Sequence, residues 1–429
     1  MYIHLKDRKL KLKFMIKDLF HLLGDLFFLV RNILFFSNKK NIVFYPSFKT
    51  KEDFSNHYHR ALWYLPYKKG KLDQVIFKSK YNFEELHSRP NHMCQDFKNS
   101  TSHFLLIQRK LQYIYFLLSS KVILSWENFN KSTAFFLSLF GYKIINVNTN
   151  DYQSKEYGVY GTFFWEHLLS IKDKQKIRRE NYQKFIRLNN DVQELDKDNI
   201  CIFGTGPSLE TAYQYDFNNS LNIICNSIVG NKDLINHLDP HIICAGDAIS
   251  HFGVSKYAEH FRIDLHNFLI NQSSRTFIAT ANLGYLFSLH YPDLNSQIIL
   301  IEQTSFKPNF NLIENFYLPR FGSVLPIHQL PVGNTFGNEI YFLGIDGKVK
   351  DRSNEDFWAH AKQSQFHDLV DSGHICHPTF MKNRLDEDTY SYFNSTVQLS
   401  IDKGEKYQKK KYFTLNDSRI DGLENKKNE

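Results

Sequence analysis

Short apolar runs, each ended by a polar or glycine-bearing turn, recur along the chain and predict two sets of strands. The first set is Ile42-Val43-Phe44-Tyr45 before Pro46, Gln74-Val75-Ile76-Phe77, Val122-Ile123-Leu124-Ser125, and Tyr142 to Val147. The second is Ile200 to Phe203, Leu221 to Cys225, Pro240 to Gly246, Arg275 to Ala279, and Glu339 to Ile345. Runs of this length, rich in β-branched and aromatic residues, suit buried strands. Helical segments alternate with them. Tyr58–Leu65 is one, and Thr133–Phe140 is another, with Gly141 in the C-cap place that completes a β-α-β unit. The pattern predicts an α/β fold of two Rossmann-like domains with mostly parallel sheets, preceded by a basic amphipathic helix.

The boundaries follow the shifts in pattern. Residues 1–40 combine Lys6, Arg8, Lys9, Lys11, Lys13 and Lys17 with a leucine- and phenylalanine-rich run to Phe36. Asp25 and Arg31 interrupt that run, which argues against a bilayer span and for an interfacial helix; a helix packed on the protein's own core is the competing reading. Residues 41–169 form the first α/β domain and 170–198 a charged, solvated connecting helix. Residues 199–400 form the second domain, and 401–429 a basic, polar, loosely held tail.

Composition narrows the class without choosing a function. With 42% hydrophobic and 23% charged residues the 429-residue chain is globular, and its length favours two cores over one. The net charge of +8 admits anionic partners, but no nucleic-acid-binding motif accompanies it, so nucleic acid is not expected. Five scattered cysteines, without a C-x-x-C pair, exclude a disulfide framework and fit a reducing, cytoplasmic setting.

Candidate chemistry gathers at the strand ends of the second domain. The run Ile200–Phe203 stops at Gly204-Thr205-Gly206-Pro207-Ser208, where glycines permit close approach and Pro207 suits a first helical turn, so this reads as a phosphate or nucleotide cradle. Later runs end at Asn226, at Asp247, at Thr280 with Asn282, and at Asp346. Polar residues at successive strand ends mark the carboxyl edge of an open parallel sheet, where ligands bind. Asp346 could instead only cap a turn. Downstream, His360, His367, His374 and His377 fall within eighteen residues, and imidazole is suited to taking a proton from a hydroxyl near neutral pH. His374, Cys376 and His377 are also conceivable zinc ligands, although neither H-E-x-x-H nor paired cysteines support a metal. The Asp-x-Asp matches at Asp196 and Asp386 lack a preceding strand, so no metal is expected.

Gly204-Thr205-Gly206-Pro207-Ser208-Leu209, Cys225-Asn226, the segment Asn338 to Asp346, and the histidines at 374–377 together resemble the bacterial sialyltransferases that use CMP-sialic acid (glycosyltransferase family 42). The stretch is equally similar to the motility-accessory-factor proteins through Asp239-Pro240 and Asp247. The resemblance covers roughly residues 198–395. It implies a CMP-sugar donor held by Gly204, Thr205, Gly206, Pro207, Ser208, Asn226, Thr280, Asn282, Ser323 and Asp346, with no cofactor. It also implies a histidine base: His377 or His374, with Asp247 as a further candidate. Ser323 matches a helix start that meets the donor, but Pro326 and Pro331 are expected to break that helix. The resulting expectation is a metal-independent glycosyltransferase of surface-glycan synthesis, acting on a glycan or lipid-linked acceptor while peripheral on the inner face of the cytoplasmic membrane. Pterin pyrophosphate transfer and a non-catalytic scaffold in a glycan-assembly complex are the alternatives.

Overall fold

The computed structural model describes residues 40–68, 70–86, 91–96, 101–127, 130–139, 141–148, 160–197, 199–248, 250–347, 361, 366–376 and 387–427. The chain divides into two compact units, residues 1–169 with 375–380 and residues 170–374 with 381–429. The basic segment 1–39 lies outside the described residues.

The strands of the first unit are β1 Ile42–Tyr45, β2 Val75–Lys78, β3 Phe104–Ile107, β4 Val122–Ser125 and β5 Lys143–Asn146, in a five-stranded parallel sheet of order β3-β2-β1-β4-β5. One face is filled by rings: Phe44 stacks on Phe77 at 4.8 Å and Phe48 on Trp126 at 4.9 Å. The helix Lys51–Tyr64 starts seven residues before the expected Tyr58, because the Thr50 hydroxyl accepts the Asp53 N–H and Glu52 and Asp53 fill its first turn. The expectation omits the strand β3 and the helix Lys110–Ser119. That helix is apolar on nearly every side, so no periodicity announces it.

The second unit is built on β6 Asn199–Phe203, β7 Ser220–Cys225, β8 Ile242–Ala245, β9 Thr276–Thr280 and β10 Ile298–Ile301. A small separate ladder joins β11 Gln303–Ser305 to β12 Leu318–Pro319. With β13 Glu339–Leu343 and β14 Lys411–Thr414, the five strands from β6 to β10 make a seven-stranded sheet of order β10-β9-β8-β7-β6-β13-β14, every neighbouring pair parallel. The order reverses direction at β6, with β7 to β10 on one side and β13 and β14 on the other. This makes the carboxyl ends of the central strands the place for a ligand.

Two expected segments are corrected. Residues 170–198 are not a solvated connector: the helix Ile171–Glu194 starts at a Ser170/Asp173 capping box and buries Phe185, Leu188 and Val192 in the core. It also shields an edge strand, since the Asn181 side chain accepts the Leu300 N–H of β10 at 2.7 Å. The basic end of the chain is not a loose tail either. It supplies β14, whose residues pair with β13 from Glu339↔Lys411 to Phe342↔Thr414, and it buries Tyr412, Ile420 and Leu423. Its lysines mislead because they run into the start of the strand; Lys411, the first strand residue, pairs with Glu339 at 2.8 Å. Ending the chain before Lys409 is therefore expected to cost roughly 5 kcal/mol or more, read as lost cooperative urea unfolding of the second unit. A dispensable tail would leave the midpoint unchanged.

Candidate functional site

The glycine turn after β6 is closed by the chain itself. Gly206 donates its N–H to the Gly344 carbonyl at 2.8 Å, and a Cβ on Gly204 would lie 2.4 Å from that same oxygen. The Asp346 carboxylate lies against Gly206, where a Cβ would come within 2.1 Å of its Oδ2, and accepts the Ser208 N–H at 3.1 Å. Ser208 Oγ in turn accepts the Gly344 N–H at 3.0 Å. The expected phosphate cradle thus has its N–H groups answered by Leu343, Gly344 and Asp346, and the chain leaves the turn as a 3-10 helix, Pro207–Gln214. Burial raises the Asp346 carboxyl above its usual range, an effect opposed by its bonds to Ser208 and by Arg419. The glycines serve the close approach of two backbones, because Gly344 has φ +73° and a Cβ there would meet the Gly204 carbonyl oxygen at 2.2 Å. Gly344→Ala is expected to cost about 3 kcal/mol or more, measured by urea unfolding, since neither backbone can yield. Asp346→Ala is expected to cost about 1–3 kcal/mol through the freed Ser208 N–H.

The ends of β7, β8 and β9 are different. Register aligns Cys225 with Cys244 and Ala245 with Ala279, so Asn226, Gly246 and Thr280 come to one edge. Asn226 holds a left-handed φ of 53°, and its Oδ1 is buried without a partner among the described residues. Thr280 is 2% exposed, its Oγ1 is likewise unpartnered, and it stands at the start of helix Ala281–His290 without making a side-chain cap. Asn282, in the first turn of that helix, is half-buried. The Thr280 hydroxyl therefore does not satisfy the helix's first N–H groups.

Asp247 is held in a fixed loop beside them. Its Oδ1 accepts the Ser250 N–H at 2.6 Å, and its own N–H donates to His251 Nδ1 at 3.1 Å. The His251 ring lies 4.4 Å from that of Phe261, and buried Arg262 donates to the carbonyls of His251 and Gly253. Burial, aided by the Arg262 charge and opposed by Asp247, pushes the His251 pKa down to about 4. Asp239, by contrast, caps the helix Lys232–Leu238 before the start of β8, at the opposite end of the sheet, and pairs with Arg275.

Pro326 and Pro331 do not break the helix expected after Ser323. A π-helical stretch Leu325–Gln329, with Pro326 in its first turn, runs into an α-helix Leu330–Phe336 with Pro331 in its first turn. The wider π turn relaxes the crowding each ring would cause, and each proline sits where its missing N–H costs least. Ser323 precedes this helix, exposed and at φ 68°. Behind it lie two residues that the pattern does not single out. His328 is wholly buried with both ring nitrogens unpartnered among the described residues, and its Cε1 would lie 2.7 Å from a Cβ on Gly246. Gln329 donates to the carbonyls of Phe203 at 2.9 Å and Ile223 at 3.4 Å, while its Oε1 has no partner there. A polar pair inside the apolar run Leu325–Val332 is the signal the sequence offers for them.

Of the histidine cluster, His360 and His377 lie outside the described residues, so nothing places them. His374 stands on the helix Val370–Cys376, half-buried, with Nδ1 4.0 Å from Asp371. Ser372 on this helix accepts the Tyr257 N–H at 3.0 Å, docking it near the start of helix Lys256–Asn271, just beyond the Asp247 loop. Among the described residues no group of three His, Cys, Asp or Glu side chains could hold a metal ion. All five cysteines are buried and free; burial pushes the thiols of Cys201 and Cys225 up to about 11 and about 12.

No protein-family model matches the chain, and neither does any curated protein. Solved sialyltransferases resemble it distantly. The CstII enzyme of Campylobacter jejuni with the substrate analogue CMP-3FNeuAc is 15% identical over 53% of this chain and 85% of its own, with TM-score 0.31. The monofunctional alpha-2,3-sialyltransferase Cst-I of Campylobacter jejuni is 14% identical over 53% of this chain and 80% of its own, with TM-score 0.32.

Proposed function

We propose that the chain is a glycosyltransferase that binds a nucleotide sugar, a CMP-nonulosonic acid such as CMP-sialic acid, at the carboxyl edge of β7, β8 and β9. One observation carries this reading. Five buried side-chain atoms, on Asn226, Thr280, His328 and Gln329, have no partner among the described residues, and all belong to segments at or behind that edge. Buried polar atoms are almost always hydrogen-bonded, so a set without partners marks a place prepared for a ligand. Asn226, Thr280, Asn282 and Ser323 are the proposed donor contacts. The uncapped start of helix Ala281–His290 suits the donor phosphate better than the Gly204–Ser208 turn, whose anion is Asp346.

In the reaction the acceptor hydroxyl oxygen attacks the anomeric carbon, the bond from that carbon to the CMP phosphate oxygen breaks, and the hydroxyl proton passes to a base. His377 is the proposed base, with His374 as the alternative, and Asp247 is a carboxylate at the same edge as the donor contacts. N–H groups and hydroxyls can stabilise the departing phosphate. The acceptor is a glycan or a lipid-linked precursor of a surface glycan, and the basic, apolar segment Lys9–Phe36 would hold the enzyme at the inner face of the cytoplasmic membrane. Among the described residues no helix is long and apolar enough to cross a membrane.

A thermal-shift panel tests the donor class. Cytidine nucleotides are expected to raise the unfolding midpoint at millimolar concentration and adenosine triphosphate with magnesium to leave it unchanged. The reverse order would indicate pyrophosphate transfer instead.

A further inference from the structure

In the first unit, the helix Lys110–Ser119 presents an apolar stripe to solvent on the side opposite its core contacts. Leu111, Ile114, Tyr115 and Leu118 recur at the spacing of one helical face, with exposures from 40% at Ile114 to 82% at Leu111. Tyr113, by contrast, is buried on the sheet with Val43 and Ile76, and Phe116 and Leu117 pack beside it. The helix Lys131–Leu139 follows β4 as the right-handed crossover to β5. The helix Lys110–Ser119 carries the chain from β3 to β4 in the same direction, so both cover the same face of the sheet. Phe135 of the second helix is 62% exposed. A soluble domain rarely leaves a row of large apolar side chains uncovered, so this layer requires a partner.

Charge and the course of the chain identify that partner. Residues 101–148 hold five Lys or Arg (Arg109, Lys110, Lys121, Lys131 and Lys143) against one acid, Glu127. Arg109 and Lys110 stand at one end of the striped helix, and Lys121 at the other. The Lys121 N–H donates to the Asn41 carbonyl at 3.1 Å beside the helix's C-terminal end, and the sequence before Asn41 combines a basic start with an apolar run to Phe36. We infer that the outer face of the helix Lys110–Ser119, with Phe135, is a second membrane-contact surface that lies on an anionic lipid bilayer. Apolar side chains flanked by lysine and arginine are the chemistry an interfacial surface needs. The inference rests on the membrane part of the proposed function and is independent of the donor.

The test uses the full chain and the variant Leu111→Gln/Tyr115→Gln, with flotation on phosphatidylcholine vesicles with and without phosphatidylglycerol. The wild type is expected to float with the anionic vesicles and to be released by salt, and the variant to bind about tenfold more weakly with an unchanged melting temperature. Equal binding by the two proteins overturns the inference. It is also overturned if the variant keeps vesicle binding and instead melts earlier, which would mean that segment 1–39 covers the stripe. A halved mass by light scattering with vesicle binding kept overturns it in favour of a second copy of the chain. Failure of the wild type to bind any vesicle removes the membrane part of the proposed function too, whereas cytidine-nucleotide titration of the same samples reports on the donor separately.

Discussion

Acidification from pH 7 to pH 5 is expected to remove at most about 4 kcal/mol from the stability of the second unit, much of what a domain of ordinary stability holds. The loss comes from two fully buried histidines. Burial lowers His251 from 6.5 to about 4, and burial together with the neighbouring His251 lowers His328 from 6.5 to about 3. A base whose folded pKa is depressed contributes fully above its unfolded value, near 6.5, and loses that contribution as pH falls toward the folded value. At pH 5 each histidine is charged in the unfolded chain and neutral in the fold, a difference of about 2 kcal/mol per group. The groups facing this pair are Asp247, which favours a charged His251, and Arg262, which opposes it. Urea unfolding across pH 5 to 8 measures the slope.

The variant His328→Leu separates cost from use. Since neither ring nitrogen has a partner among the described residues, the substitution removes two desolvated polar atoms and no hydrogen bond recorded there. The midpoint at pH 7 is expected to stay or rise, and the acid slope to flatten by the share of one histidine. If His328 supports the Gly246–Asp247 turn in donor binding, affinity for a cytidine nucleotide falls at the same time. A stabilised variant with unchanged affinity would assign His328 to the core alone.

Alanine at the proposed base is expected to lower turnover by roughly 10²–10⁴-fold, the usual share of general-base catalysis, with donor affinity nearly unchanged. His377→Ala should show this loss and His374→Ala should not. His374 is already engaged near Asp371 on a helix docked by Ser372. A loss confined to His374→Ala would move the role there. Small, equal losses would shift proton removal to another group such as Asp247, and joint loss of bound metal and thermal stability would support zinc.

Much of the sheet is legible because parallel strands buried on both faces read as plain apolar runs. Those from Ile200, Leu221, Ile242, Thr276 and Glu339 all appear as strands in one sheet. Phe104–Ile107 and Ile298–Ile301 are apolar runs of the same kind that the expectation omits, whereas β14 is not legible in this way. β14 is a short edge strand opened by the lysine run 409–411, and the helix Lys110–Ser119 lacks the polar face that gives a helix its period. The strand-end residues Asn226, Asp247 and Thr280 are legible for the same reason as their strands. The glycine turn reads as a cradle because its sequence cannot reveal that Asp346, 138 residues away from Ser208, supplies the anion. His328 and Gln329 are hidden between two prolines that signal a break, where the chain instead forms a π turn.

The central claim is that a cytidine nucleotide binds at the edge of β7 to β9, and calorimetric titration with CMP tests it most directly. The wild-type chain is expected to bind, Asn226→Ala and Thr280→Val to bind at least about tenfold more weakly, and Ser208→Ala, on the closed glycine turn, to bind nearly as the wild type does. No heat of binding at millimolar CMP, or equal binding by wild type, Asn226→Ala and Thr280→Val, would contradict the account.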